Sequence, residues 1–352
     1  MRALVLSNMV ADAAHPERGR FVRDQVGALR ALGAARDVPG NGNSGLEVEL
    51  YEFAPGGKAL ARAARDLHRR YAGERFDVVH AHFGLTAWPA LAVKARTRAL
   101  TVHGTDVRHP RTRLATRAAL PTVGLLAAVS DALVQELPGR RARARAQVLP
   151  CGVDLERFKP MPRARAQSTL FLEPQHTSPG SPPSTDPQRS GTDPDQEPHS
   201  ADPYPPYLLF PADPSRAEKR FDRAQALAEA VGAQLLTLGG VEPERVPLYV
   251  NAAHAVLVPS EREGFGLAVL EALACDVPVL ATPVGIHAQA LTGLAGTLCE
   301  PFDLERWRRS LASIVAEPDP RVEGRERAQA FSATRMAERV ASAWRSLVAK
   351  AG

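Results

Sequence analysis

Short apolar runs alternate along this chain with longer stretches in which apolar residues recur every three or four positions. Arg2 to Leu6 reads as a strand and Ser7 to Gly19 as a loop, and Phe21, Val22, Val26, Leu29 and Leu32 fall on one face of a helix. Leu46 to Phe53 alternates as a strand, Ala59 to Tyr71 is helical, and Phe76 to His80 is a buried strand. A helix is predicted through Ala87 to Ala95, then strands at Ala99 to Val102 and Thr122 to Val129. Ser130 caps a helix running to Leu137, and Gln147 to Leu149 is a short strand. The same rhythm resumes at Tyr207 to Phe210, with strands at Ala233 to Leu238, Ala255 to Val258 and Pro278 to Ala281 separated by helical patterns. Repeated strand–helix alternation predicts an α/β fold with doubly wound parallel sheets, one in each half.

Between the halves the pattern is lost. From Pro174 to Pro206 ten of 33 residues are proline, interleaved with Ser, Thr, Asp and Gln. Such a composition offers too little apolar surface to offset ordering entropy. The expected organisation is a Rossmann-like domain over residues 1–161, a disordered Pro/Ser-rich linker over 162–206, a second Rossmann-like domain over 207–330, and a terminal helix over 331–352 packing back across both.

The stretch from His254 to Gly285 carries the clearest chemistry. Strand Ala255–Val258 runs into a polar, glycine-containing loop, Ser260 to Gly266, and then into a helix. The N–H groups of Gly266, Leu267 and Ala268 at that helix start form a seat for a diphosphate. Glu263 and Glu271 flank it. With both on a helix they would stand about 12 Å apart at 1.5 Å rise per residue, too far to share a proton, and so serve two ends of an elongated ligand.

Glu263-Gly-Phe-Gly-Leu-Ala-Val-Leu-Glu271, followed by Pro278-Val-Leu-Ala-Thr282, resembles the E-x7-E signature of the family-4 retaining glycosyltransferases, also called glycosyl transferases group 1. The resemblance covers nearly all the chain outside the linker. It implies the GT-B arrangement, two Rossmann-like domains facing each other across a cleft, and transfer of a sugar from a nucleotide-diphosphate sugar. It places Glu263 at the donor sugar, with Gly264, Phe265, Gly266 and Leu267 around it, and Glu271 at the ribose.

Other motifs extend the resemblance. His103-Gly-Thr-Asp106 ends a strand and is similar to the family's HG-D loop, which implies that His103 reaches the donor sugar and that Asp106 holds the loop or meets the acceptor. Lys219 matches the lysine that neutralises the leaving diphosphate, and Arg216 stands near the place of its arginine partner. Gly19 occupies the loop that faces the donor phosphates, and Pro150-Cys151-Gly-Val-Asp154 to Phe158 resembles the turn between the halves. The catalytic set expected is therefore His103, Lys219 and Glu263. His80 and His82, two apart on a strand, lack a third ligand type beside them, which points to ordinary hydrogen bonding and to no metal.

Composition narrows the function further. Of 352 residues 44% are hydrophobic, and no apolar run approaches a membrane span. Met1 to Ser7 reads as a strand and not as a signal peptide, so a cytoplasmic protein is expected. Cys151, Cys275 and Cys299 are too few and too dispersed for a disulfide framework. The absence of G-x-G-x-x-G after the first strand disfavours a dinucleotide oxidoreductase. Within the formal charge of +5, Arg108 to Arg145 holds eight arginines against Asp131 and Glu136. These basic clusters suit an anionic membrane and a lipid-linked acceptor, and no nucleic-acid partner is expected. The alternatives are a GT-B sugar-nucleotide epimerase and a non-catalytic nucleotide-sugar-binding protein.

Overall fold

The computed structural model describes residues 1–35, 45–172 and 206–351. Among these, eleven strands form two sheets, all paired in parallel. The first holds β1 (Arg2–Ser7), β2 (Glu47–Glu52), β3 (Phe76–His82), β4 (Ala95–Val102), β5 (Leu125–Ala128) and β6 (Gln147–Val148), in the order β2-β1-β3-β4-β5-β6. The second holds β7 (Tyr207–Phe210), β8 (Gln234–Thr237), β9 (Ala255–Val258), β10 (Val279–Ala281) and β11 (Leu298–Cys299), in the order β11-β10-β9-β7-β8. Central strands are buried on both faces, as their uninterrupted Val, Leu and Ala content requires. In each sheet the order reverses near the first strand, which opens a crevice beyond the strands' carboxyl ends.

Two elements depart from the sequence reading. No α-helix spans Ala87 to Ala95. The chain makes two 3-10 turns, Gly84–Ala87 and Pro89–Ala92, and enters β4 already at Ala95. Pro89 cannot donate the bond that would carry one helix through, and Arg96 and Arg98 mask the front of the strand in an apolarity pattern. The expected linker also begins too early. Residues Arg163–Leu172 form a helix in which Ala166 and Leu170 are buried, Arg163 bonds the Pro318 carbonyl, and Gln167 Nε2 donates to Ala252 O at 3.3 Å. Its i, i+4 apolar pair is a helical signal that the proline-rich neighbourhood obscures. The rest of the segment expected to be disordered, 173–205, lies outside the described residues.

The last helix, Ala333–Lys350, returns to the first sheet and buries Met336, Val340 and Trp344 against Ala3, Val5 and Val26. Trp344 Nε1 donates to His80 Nδ1 at 3.1 Å, while His80 Nε2 meets Thr101 Oγ1 at 2.8 Å. His80 is thus a satisfied core residue. Trp307 anchors the separate core of the second sheet with Leu208, Phe210 and Leu311. Arg325 ties the two halves by donating to the carbonyls of Leu155 and Phe158 from beside Ala274. No helix among the described residues is long and apolar enough to cross a membrane.

Candidate active site

The loop after β9 is shaped by places where no Cβ fits. At Gly266, φ is +105°, and a Cβ would stand 2.4 Å from His287 Nε2. At Gly264 a Cβ would stand 2.1 Å from the His103 carbonyl oxygen. The loop therefore turns sharply between a histidine behind it and the opposite domain in front. Ile286 N–H donates to Phe265 O at 2.9 Å and fixes its back. The N–H groups of Gly264 through Ala268 donate to no acceptor among the described residues. They gather at the start of helix Leu267–Ala274, where the dipole adds positive potential, and together can cradle an anion.

Beside this cradle Lys219 Nζ lies 2.7 Å from both Glu263 carboxylate oxygens, and Ser260 Oγ donates to Glu263 Oε1 at 2.8 Å. Both charged side chains are largely buried, at 14% and 10% exposure. In this geometry the cation of the site is neutralised by its carboxylate, and a ligand phosphate would compete for it. Arg216 is not brought into this cluster. It is half-exposed and pairs with Glu218 on its own loop at 2.7 Å, because the intervening 3-10 turn Ala217–Lys219 sends the two basic side chains apart.

Glu271 sits within the same helix, half-buried, and desolvation pushes its carboxyl up to about 7 against the opposing charge of Arg157. Across the cleft, Gly19 has φ +71°, and a Cβ there would stand 2.1 Å from the Met9 carbonyl oxygen, so only glycine can open helix Arg20–Ala34 at this spot. From that helix Arg20 Nε pairs with Asp24 at 2.8 Å, and Arg20 reaches over to Glu244 of the second half.

The His103 loop touches the cradle. Its imidazole Nε2 lies 3.0 Å from His82 Nδ1 and its ring packs on Phe21 and Phe83, at 4.8 and 4.6 Å between centroids. Burial pushes His103 down to about 3, so it is neutral at pH 7 and can bond a hydroxyl but carries no charge. Asp106 is buried and its carboxylate accepts from Gly104 N at 2.8 Å, His103 N at 3.0 Å and Gly84 N at 3.3 Å. Of the two roles implied for Asp106, its contacts are those of holding the loop. Burial pushes it up to about 6 in spite of these bonds.

Several residues at this junction have no signature in the sequence. Arg108 forks onto Glu136 at 2.6 and 2.7 Å and donates from Nη2 to Glu263 O at 2.9 Å. Ser130 Oγ donates to Gly264 O at 2.8 Å. Ser130 is legible as a helix cap, which it also is for Leu133 N, but its contact across the cleft is not. Among the described residues no three His, Cys, Asp or Glu side chains converge as a metal site.

Two family models match the chain in the order of its sheets. Glycosyltransferase Family 4 covers residues 19–157 and Glycosyl transferases group 1 covers 211–331. Among curated proteins, a D-inositol 3-phosphate glycosyltransferase of Segniliparus rotundus is 29% identical over 70% of this chain and 60% of its own length. One of Rhodococcus jostii is 33% identical over 55% of this chain and 44% of its own. The chain thus spans less than two thirds of the length of these relatives. Among solved structures, sucrose-phosphate synthase of Thermosynechococcus elongatus superposes with a TM-score of 0.66 at 18% identity over 99% of both chains. HepE of Anabaena, in complex with UDP-glucose, does so with a TM-score of 0.61 at 15% identity over 98% of this chain and all of its own. With both halves matched in order and the fold shared throughout, the chain belongs to the family-4, group 1 glycosyltransferases of GT-B fold.

Proposed function

We propose that this chain transfers a sugar, with retention of configuration, from a nucleotide-diphosphate sugar to an acceptor hydroxyl. The observation that carries the reading is the cradle of free N–H groups at Gly264 to Ala268 with the Lys219–Glu263 pair at its edge. In the reaction the acceptor oxygen bonds to the anomeric carbon as the bond from that carbon to the diphosphate oxygen breaks, and the hydroxyl proton passes to the departing diphosphate oxygen. Charge then grows on the diphosphate. Lys219 and the helix start meet that charge, which is where preorganised donors contribute most. Glu263 faces the sugar once Lys219 turns to the phosphate, Glu271 takes the ribose hydroxyls, and neutral His103 bonds a sugar hydroxyl. Because Lys219 and the helix dipole neutralise the leaving group, the reaction is expected to survive EDTA. A panel of nucleotide sugars in a thermal-shift assay tests the donor, since a ligand at a hundred times its dissociation constant adds about 2.7 kcal/mol. If no nucleotide sugar or nucleoside diphosphate raises the melting temperature, the reading is wrong. The anomeric configuration of the product, followed by NMR, tests retention.

For the acceptor, the reading is a lipid-linked molecule met at an anionic membrane. Exposed Arg111, Arg113 and Arg117 surround Leu114, which is 69% exposed, on helix Pro110–Ala119. The second basic run supports it less, since Arg143 and Arg145 donate to the carbonyls of Leu137, Val123 and Leu120. Names of the curated relatives support a different acceptor, an inositol phosphate. Co-sedimentation with anionic against neutral vesicles decides: no anionic preference at low salt leaves the soluble polyol phosphate.

A further inference from the structure

The turn between the two halves, Asp154 to Phe158, delivers a charged side chain into the cleft. Asp154 Oδ1 accepts from Glu156 N and Arg157 N, at 3.0 and 3.1 Å, and Phe158 N donates back to Asp154 O at 2.9 Å. With Phe158 buried as an anchor, this tight turn fixes the direction in which Arg157 leaves the backbone. The guanidinium then lies over the Phe158 ring, 4.8 Å from its centroid, and Nη2 reaches Asp24 Oδ2 at 3.1 Å.

One nitrogen of the fork is spent on Asp24. The other two, Nε and Nη1, are buried without a hydrogen-bond partner among the described residues. Unmet donors on a buried cation are costly, so such a group is expected where a ligand supplies the acceptors. The surroundings say which ligand. Arg157 belongs to a chain of alternating charge that crosses the cleft: Glu244, Arg20, Asp24, Arg157. Its charge also acts on Glu271, the carboxylate one turn along the cradle helix. Asp24 is already shared between two arginines and meets neither of the remaining donors.

Resting on the donor reading above, we propose that Arg157 is a donor-binding residue whose free Nε and Nη1 hydrogens hold the phosphate that carries the ribose. The order along the cleft supports this phosphate. Lys219 and Glu263 mark the sugar end, the N–H groups of Gly264 to Ala268 the diphosphate, and Glu271 the ribose. Arg157, whose charge is felt at Glu271, meets the phosphate on the ribose side, and a planar fork suits two of its oxygens.

Calorimetric titration of the wild-type chain with ADP, GDP and UDP, and then with the monophosphate of whichever binds, tests the proposal. In Arg157→Gln, affinity for the diphosphate and the monophosphate should fall alike, each by about tenfold or more. In Lys219→Gln the loss should be larger for the diphosphate than for the monophosphate. Arg157→Lys, which keeps the charge and its reach to Asp24, guards against misfolding and should show the same even loss at smaller size. Wild-type affinity for both nucleotides in a folded Arg157→Gln overturns the proposal, as does a loss confined to the diphosphate. A wild-type chain that binds no nucleotide at all removes the donor reading itself, a result distinct from either.

Discussion

Ser130 and Gly264, 134 residues apart and in opposite halves, are joined by a hydrogen bond of 2.8 Å from the serine hydroxyl to the glycine carbonyl. Arg108 grips the preceding carbonyl, that of Glu263, in the same way. A trans peptide is planar, with its C=O and N–H pointing oppositely. Holding these two carbonyls toward the first domain therefore turns the Gly264 and Phe265 N–H groups the other way. The first domain thereby sets part of the cradle that belongs to the second.

Ser130→Gly isolates that contact, because glycine replaces serine as a helix cap at a cost of only a few tenths of a kcal/mol. Loss of one neutral hydrogen bond of about 0.5–1.5 kcal/mol should lower kcat/KM for sugar transfer by roughly two- to tenfold. The melting temperature should stay near that of the wild type. Unchanged steady-state kinetics would show that the grip does not matter to the reaction.

Lys219 and Glu271 should separate kinetically. Lys219→Ala leaves the leaving-group charge unmatched and should lower kcat on the order of a hundredfold. Glu271→Ala removes contacts made equally before and during transfer, and should mainly raise the donor KM. Matching losses in both variants, tracking a shared loss of stability, would instead mark both as structural.

The cradle is legible in the sequence because glycines stand where neighbours exclude a Cβ: Gly266 against His287, Gly264 against His103 O. Strands β7, β9 and β10 are equally legible, since burial on both faces leaves unbroken apolar runs. The grips of Arg108 and Ser130 are not, because a side chain that bonds a distant backbone carbonyl imposes no pattern on either partner. Arg157 escapes for a related reason. It reads as one more basic residue in an arginine-rich chain until its two unpartnered nitrogens are seen. Helix Arg163–Leu172 is hidden by the prolines that follow it, and the break at Pro89 by the apolar residues around it.

Buried carboxyls predict a pH dependence of stability. Burial holds Asp106 up to about 6 and Glu271 up to about 7, above the values they take in the unfolded chain. Between their unfolded and folded values the folded state keeps protons that the unfolded state has released. Stability therefore falls as pH rises through that window, and the penalty persists above it. Burial moves His80, His82, His103 and His287 downward, so these destabilise the fold in the other direction, as pH drops through the ordinary histidine range. Comparing Glu271→Gln with the wild type cancels the other groups. The variant should gain roughly 1–2 kcal/mol at pH 8 relative to pH 4, less than the full shift because Glu271 keeps some contact with water. Parallel denaturation curves across pH would contradict it.

Gly266 offers the sharpest test of how the cradle is built. Its φ of +105° is one that an alanine rarely adopts, and an added Cβ would stand 2.4 Å from His287 Nε2. Strain of this kind costs about 1–3 kcal/mol, and overpacking adds a similar amount. Gly266→Ala should accordingly lose several kcal/mol of stability on chemical denaturation, and donor binding with it, because the loop must move to relieve the overlap. His287 Nδ1 is anchored to Thr282 O at 2.8 Å, so the ring cannot swing aside without breaking that bond. Adding His287→Ala to Gly266→Ala removes the overlap but not the backbone strain, and the double variant should recover stability only in part relative to the sum of the two single losses. Strictly additive losses would mean that the ring does not confine position 266, and that the φ angle alone demands glycine there.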